Sequence, residues 1–129
     1  MGRNITTAGF LFAACVTVVA PEVGDEFGLR VGQSATAVEY DVTVKFDGIS
    51  NDSRCARQVQ CVWAGDAGVV IEMTLSDGEV LIDTLHTNEG KKSVVVDGVT
   101  LELVGLEPYP ETTEAIELKE YVARFVFSA

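Results

Sequence analysis

The sequence is poor in histidine and in basic residues, and both shortages limit what the protein does. It contains one histidine, His86, so a zinc site or catalytic centre built on several histidines is excluded. Nine lysine and arginine residues stand against 20 aspartate and glutamate residues, which gives a net charge of −11. Such a surface repels phosphate backbones and anionic lipids. The composition therefore predicts that neither nucleic acids nor membrane surfaces are partners.

Motifs of the common enzyme classes are also missing. The chain has no Gly-x-Ser-x-Gly, no phosphate-binding loop, no His-Glu-x-x-His and no EF-hand spacing. We therefore expect a non-enzymatic binding or accessory module without a cofactor, and we expect His86 to be a solvated loop histidine. A hydrolase-type or carboxylate-based enzyme is the alternative, because the distance between two carboxylates cannot be read from a sequence.

The N-terminus holds the longest apolar run. Residues 8–20 are apolar apart from one threonine, and they follow a short positive start. This layout is typical of a secretory signal peptide, and the run is short for a transmembrane helix. We predict a leader over residues 1–20 and export to the periplasm, envelope or extracellular space. Two alternatives stay open: residues 12–15 resemble a lipobox that would place a lipid anchor on Cys15, and residues 16–19 are β-branched enough to form a first strand.

Only three cysteines are present, and their positions support export. With Cys15 assigned to the leader, Cys55 and Cys61 remain as an even pair separated by five residues. A redox motif would have two intervening residues, and a zinc site would need further ligands. We predict a disulfide between Cys55 and Cys61, which would stabilise the fold by about 2–2.5 kcal/mol.

The rest of the chain has the alternating apolar pattern of β-strands. Between the strand-like runs, Asp77-Gly78 and Asp97-Gly98 are typical hairpin turns. The pattern predicts a single all-β domain over residues 24–129, an antiparallel β-sandwich or small barrel of about seven to eight strands. The side chains predicted to line its core are Val42, Val44, Phe46, Val69, Ile71, Met73, Leu101, Leu103, Tyr121, Phe125 and Phe127.

A long connection over residues 48–68 is the candidate binding surface. About twenty residues is long for a link between strands, and loops of that length are usually functional or packed on themselves. The connection contains the predicted disulfide and the only tryptophan, Trp63. Because Trp63 follows Cys61 by two residues, a strand would place both on one face. We expect Trp63 to pack over the disulfide as a core plug; the alternative is an exposed aromatic platform for a ligand.

Charged residues of this connection complete the candidate site. We expect Arg54 to pair with Asp52 or Asp66 and to hold the loop, and we expect Arg57 to point into solvent. Asp52, Arg54, Arg57, Trp63 and Asp66 thus form a candidate surface for an unknown protein or small ligand. A protease-inhibitor-like loop that presents an arginine is an alternative. A calcium site is another, with oxygen ligands from Asp47, Asn51, Asp52 and Asp66.

A recognisable pattern runs through three segments, which are Asp52-Ser53-Arg54-Cys55, Cys61-Val62-Trp63-Ala64-Gly65 and Leu106-Glu107-Pro108-Tyr109-Pro110. They resemble an uncharacterised family of small exported bacterial proteins, many with lipoprotein-like leaders. Ala56 stands where that family has a proline, which makes the loop less rigid. The resemblance covers about residues 24–127 and implies export, a disulfide and a β-rich domain, but no activity. We also expect Tyr109 to cap the core at the corner fixed by its two flanking prolines.

Overall fold

The computed structural model describes residues 18–129, so most of the predicted leader, including Cys15, lies outside the described residues. Within these residues, nine strands account for most of the regular structure, with one 3-10 turn at Leu118–Glu120. Within residues 18–129, no helix has the length and hydropathy needed to cross a membrane. The strands are β1 (Val18–Val19), β2 (Glu26–Arg30), β3 (Ser34–Ala37), β4 (Val42–Asp52), β5 (Ala67–Thr74), β6 (Val80–His86), β7 (Ser93–Val96), β8 (Val99–Glu107) and β9 (Val122–Ser128).

Two sheets enclose the core. One has the strand order β1-β3-β4-β5-β6 and the other has the order β2-β9-β8-β7. The eight longer strands pair antiparallel, whereas the two residues of β1 pair parallel to β3. The predicted all-β sandwich with one disulfide is therefore confirmed. The strand β1 falls inside the stretch predicted as a leader.

The core follows the period-two pattern of the sequence. All eleven side chains predicted to line it are buried, and Phe46, Phe125 and Phe127 are fully inaccessible to solvent. Phe27 from the edge strand β2 stacks on Phe127 with a ring-centroid distance of 5.3 Å. Burial of this many aliphatic and aromatic side chains, each contributing about 1.5–3 kcal/mol, is the main stabilising term.

Both predicted hairpins are present. Asp77-Gly78 joins β5 to β6, and Asp97-Gly98 joins β7 to β8. Asp97 and Gly98 have φ angles of 48° and 83°, as the tightest hairpin turns require at both central positions. These two turns fix the register of the strands that they connect.

The connection between β4 and β5 is shorter than predicted. Strand β4 runs on to Asp52 and β5 begins at Ala67, so the connection comprises the fourteen residues 53–66 rather than 48–68. Two register shifts, between Phe46 and Gly48 and between Ile49 and Asn51, keep the polar end of β4 paired with β5. Such bulges let a strand continue through residues that otherwise favour turns. Residues 53–66 are called the disulfide loop below.

Candidate functional site

The two ends of the disulfide loop are held together by hydrogen bonds. The backbone N–H of Ser53 donates to the carbonyl of Asp66 at 2.7 Å, and the N–H of Cys55 donates to the carbonyl of Ala64 at 3.0 Å. Gly65 has a φ of +77°, and a Cβ at this position would lie 1.8 Å from the carbonyl oxygen of Ser53. Only glycine fits there, so the base of the loop is closed by backbone contact.

The predicted disulfide is present. Cys55 and Cys61 are bonded, with their Cα atoms 6.0 Å apart, inside the range that a disulfide tolerates. The bond closes the outer part of the disulfide loop into a small ring. Cys61 lies on the exposed side of this ring and Cys55 is half-buried.

Arg54 forms the main anchor of the loop. Its Nε and Nη2 atoms donate to the two carboxylate oxygens of Asp52, each at 2.8 Å. Its guanidinium also donates to the carbonyls of Leu106 at 2.8 Å and Pro108 at 3.0 Å. The side chain is only 6% exposed, so the predicted pairing with Asp52 is confirmed. A buried Arg54 cannot protrude as the recognition residue of an inhibitor loop.

Tyr121 extends this network into the core. Its hydroxyl donates to Asp52 Oδ2 at 2.7 Å. Burial alone would raise the pKa of Asp52, but the hydrogen bonds from Arg54 and Tyr121 outweigh it and hold that pKa below its ordinary value of 3.8. Burial and the hydrogen bond to the Asp52 carboxylate raise the pKa of Tyr121 to about 12. Asp52 therefore stays ionised and Tyr121 stays protonated over the physiological range.

Tyr109 lies on the disulfide loop rather than over the core, so the expectation that it caps the core is wrong. Tyr109 is 38% exposed, and its hydroxyl donates to the carbonyl of Cys55 at 2.6 Å. Strand β8 ends at Glu107, so Tyr109 lies beyond the sandwich and beside the disulfide loop. The guanidinium of Arg57 lies 4.9 Å from the ring centroid. Arg57 is 63% exposed and pairs with Glu111 at 3.0 Å, which confirms the predicted exposure of Arg57.

Asp66 anchors the other end of the loop. One carboxylate oxygen accepts the backbone N–H groups of Asn88 and Glu89, and the other lies 2.6 Å from Nδ1 of His86. Burial alone would raise the pKa of Asp66, but the bonds from Glu89, His86 and Asn88 outweigh it and lower that pKa. Because an ionised carboxylate only accepts hydrogen bonds, Nδ1 of His86 carries the proton.

His86 is therefore not the solvated loop histidine that the sequence suggested. It is the last residue of β6, its side chain is 28% exposed, and its ring lies close against Gly90. A His–Asp pair also occurs in hydrolase triads, where the other ring nitrogen accepts a proton from a nucleophile. Among the described residues, the only side-chain hydrogen bond of His86 is the one to Asp66. The pair thus links the disulfide loop to the turn after β6.

Trp63 does not pack over the disulfide. Its side chain is 77% exposed, and the neighbouring Val62 is 90% exposed. The expectation of a core plug is wrong because residues 61–63 are irregular, so the strand rule that places every second side chain on one face does not apply. Trp63 instead lines a shallow crevice with Val62, Gly65 and Glu89. The aromatic platform that stood as the alternative matches this geometry.

Two of the four residues suggested for calcium, Asp52 and Asp66, have carboxylates that are engaged in other bonds. The carboxylate of Asp52 is bonded to Arg54 and Tyr121, and that of Asp66 to His86 and two backbone N–H groups. Across the described part of the chain, no three His, Cys, Asp or Glu side chains are close enough to hold a metal ion.

No protein-family model, curated protein or solved structure matches this chain. The geometry of the disulfide loop is therefore the basis for assigning a function. Two features of that geometry were not predicted from the sequence: the bonds from Arg54 to the carbonyls of Leu106 and Pro108, and the Asp66–His86 pair. The segment that contains Arg54 and the segment Leu106–Pro110 belong to the same three-segment sequence pattern, and this is a signal for the bonds from Arg54. The second joins residues twenty positions apart with no local pattern.

Proposed function

We propose that the protein is a non-enzymatic extracytoplasmic binding module that captures a protein partner with the tip of its disulfide loop. The observation that supports this most strongly is the 77% exposure of Trp63, beside a Val62 that is 90% exposed. Tryptophan is the residue most enriched among interface anchors, because its large ring buries much apolar area at little cost in side-chain entropy. A side chain this exposed buries little apolar area in the free domain, so packing within the domain does not account for a tryptophan at this position.

The disulfide loop is restrained in the free domain. Residues 53–66 are restrained by three features, which are the disulfide, the buried Arg54 and the close backbone contact at Gly65. Association normally loses free energy when mobile loops and side chains become fixed. A restrained loop avoids most of that loss, so the same contacts yield a higher affinity.

Exposed apolar side chains cluster around the loop. Ten large apolar side chains are exposed within the described residues, and half of them lie in the disulfide loop or in residues 108–118 beside it. These two segments make up less than a quarter of the described chain. Clustering of this kind marks interaction surfaces, whereas single exposed apolar residues are ordinary. The five are Val59, Val62, Trp63, Tyr109 and Leu118.

The net charge of the protein limits which partners it attracts. With a net charge of −11, the domain attracts a partner whose contact surface is basic around an apolar centre. Nucleic acids and anionic lipids are repelled. The disulfide supports a location in an oxidising compartment outside the cytoplasm. The leader-like N-terminus and the resemblance to exported bacterial proteins support the same location. A lipid anchor at Cys15 is compatible with the same location.

A photo-crosslinking amino acid with an aromatic side chain, incorporated at position 63, keeps a large apolar ring there and tests the proposal in the native host. Val95, on strand β7, is 68% exposed and serves as the matched control position. We expect a discrete higher-mass adduct from position 63 and none of that mass from position 95. An excess of the soluble parent domain should suppress the adduct, whereas the Trp63→Ala domain should not. Absence of an adduct at position 63, or the same adducts from both positions, would contradict the proposal.

A further inference from the structure

A groove runs between the disulfide loop and the segment that precedes β9. Its volume is about 560 Å³, within the size range of sites that bind small ligands or peptide side chains. Val59 and the disulfide form one wall, and Ile116 and Leu118 form the other. Cys61 lines both this groove and the crevice beside Trp63, so the two are neighbours on one surface.

The floor of the groove holds charged groups, but they are already engaged. Asp52, Arg54 and Tyr121 line the floor and are bonded to one another. The remaining hydrogen bonds of the Arg54 guanidinium go to backbone carbonyls within the domain. An arginine at the bottom of a pocket usually indicates an anionic ligand. Here the charge of Arg54 is neutralised by Asp52, which disfavours phosphate and carboxylate ligands and favours an apolar group against the floor.

The rim of the groove carries an available carboxylate. Glu114 lines the groove and is exposed. Its neighbours in the same segment are paired, Glu111 with Arg57 at 3.0 Å and Glu117 with Lys119 at 3.5 Å. Among the ion pairs of the described residues, Glu114 takes part in none. A cationic side chain above the apolar groove would meet a carboxylate that has no competing partner.

The wall next to Glu114 also offers backbone groups. Ala115 and Ile116 line the groove, and within the described chain their backbone N–H and C=O groups make no hydrogen bond. Backbone groups without a partner can pair with an extended peptide laid alongside, as they do at exposed sheet edges. A rigid small molecule would not use them in this way.

We propose that this groove binds an extended segment of the partner protein, with an aliphatic side chain inserted between Val59 and Leu118 and a lysine or arginine paired with Glu114. The inference rests on the proposed function, because the segment belongs to the same partner that covers Trp63. The aliphatic side chain fits a floor with no free charge. The basic residue fits the one unpaired carboxylate at the rim.

A phage-displayed library of random linear peptides, selected on the disulfide-intact protein, tests the inference. The enriched peptides should combine an aliphatic residue with a lysine or arginine a few positions away. Binding should be lost in Ala115→Trp, which fills the groove from an exposed wall position. It should weaken by about two- to fivefold in Glu114→Gln, as loss of one exposed ion pair implies. Val95→Trp is the matched control and should bind like the parent.

Trp63→Ala separates this inference from the proposed function. Groove-binding peptides should bind Trp63→Ala as well as they bind the parent. Peptides that lose binding in Trp63→Ala but not in Ala115→Trp would overturn the groove inference and leave the proposed function intact. No enrichment, or enrichment without basic residues, would also overturn it. Groove binding by selected peptides without any crosslink from position 63 would count against the proposed function alone. Far-UV circular dichroism checks that each variant is folded, and Thr113→Trp provides a second filling variant.

Discussion

Replacing Arg54 with alanine would remove four hydrogen bonds from the base of the disulfide loop at once. The carbonyls of Leu106 and Pro108 would lose a donor, and the Asp52 carboxylate would keep only the Tyr121 hydroxyl among its side-chain donors. Removing one partner of a buried ion pair costs about 3–5 kcal/mol, because the other charge stays buried without compensation. The Asp52 side chain is 15% exposed, so water relieves part of this penalty. We therefore expect a loss of about 3 kcal/mol in the free energy of unfolding.

Urea unfolding followed by far-UV circular dichroism, with the disulfide intact, measures this loss. Arg57→Ala is the matched control: it removes an arginine from the same loop, but one that is 63% exposed. Its cost should stay below about 1 kcal/mol, as for other exposed ion pairs. Arg54→Lys should fall between the two, because lysine keeps the charge but not the planar fork that binds both carboxylate oxygens.

The same experiment identifies the origin of the loss. If the stranded carboxylate is the main cause, adding Asp52→Asn to Arg54→Ala should recover part of the stability, since the buried charge is then gone. The two substitutions would be far from additive, as expected for groups in direct contact. The account of the anchor would be refuted if Arg54→Ala stayed within about 1 kcal/mol of the parent, or if Arg57→Ala cost as much.

Three further predictions follow from the geometry. The pKa of Tyr121 is raised from 10.0 to about 12, so the contribution of Tyr121 to stability is full below pH 10 and is lost as the pH rises toward 12. The difference in phenolate absorbance between the parent and Tyr121→Phe should therefore appear near pH 12. Its appearance near pH 10 would contradict the bond to Asp52. Gly65→Ala should lower the free energy of unfolding by at least about 2 kcal/mol, because its Cβ clashes with the Ser53 carbonyl. In Gly48→Ala the new Cβ meets nothing within 4 Å, so thermal melts should show almost no change. Phe125→Ala should cost about 3–5 kcal/mol because the ring is fully buried, and a neutral result in urea unfolding would place it on the surface.

Local patterns in the sequence were sufficient for the sandwich. The alternation of Val42, Val44 and Phe46 determines which face of β4 is buried, and the Asp97-Gly98 turn determines where β7 and β8 reverse. Both signals act between residues close in the chain, so they can be identified without tertiary information. The end of β4 was mispredicted because residues 48–52 have turn composition, and only the pairing with β5 keeps them extended.

The candidate site is formed by contacts between residues that are distant in the chain. The sequence predicted these contacts less well than it predicted the strands. Arg54 is anchored by the carbonyls of Leu106 and Pro108, which were not predicted, and its partner Asp52 was one of the two carboxylates expected for it. Trp63 was placed inside by a strand rule applied to a segment that is not a strand. The partner of His86 is Asp66, on a different element, and no local periodicity links them. Tertiary contacts of this kind override local preference.

The proposed function requires Trp63 to stand in solvent on a loop that is already folded. Trp63 is the only tryptophan, so the intrinsic fluorescence of the protein reports on this side chain alone. Acrylamide quenching of the native protein measures the exposure of this side chain. The emission should match that of free tryptophan in wavelength and be quenched almost as efficiently as in urea, while the fluorescence anisotropy keeps the value of a folded domain. Blue-shifted emission protected from acrylamide would show Trp63 packed within the domain and would contradict the account.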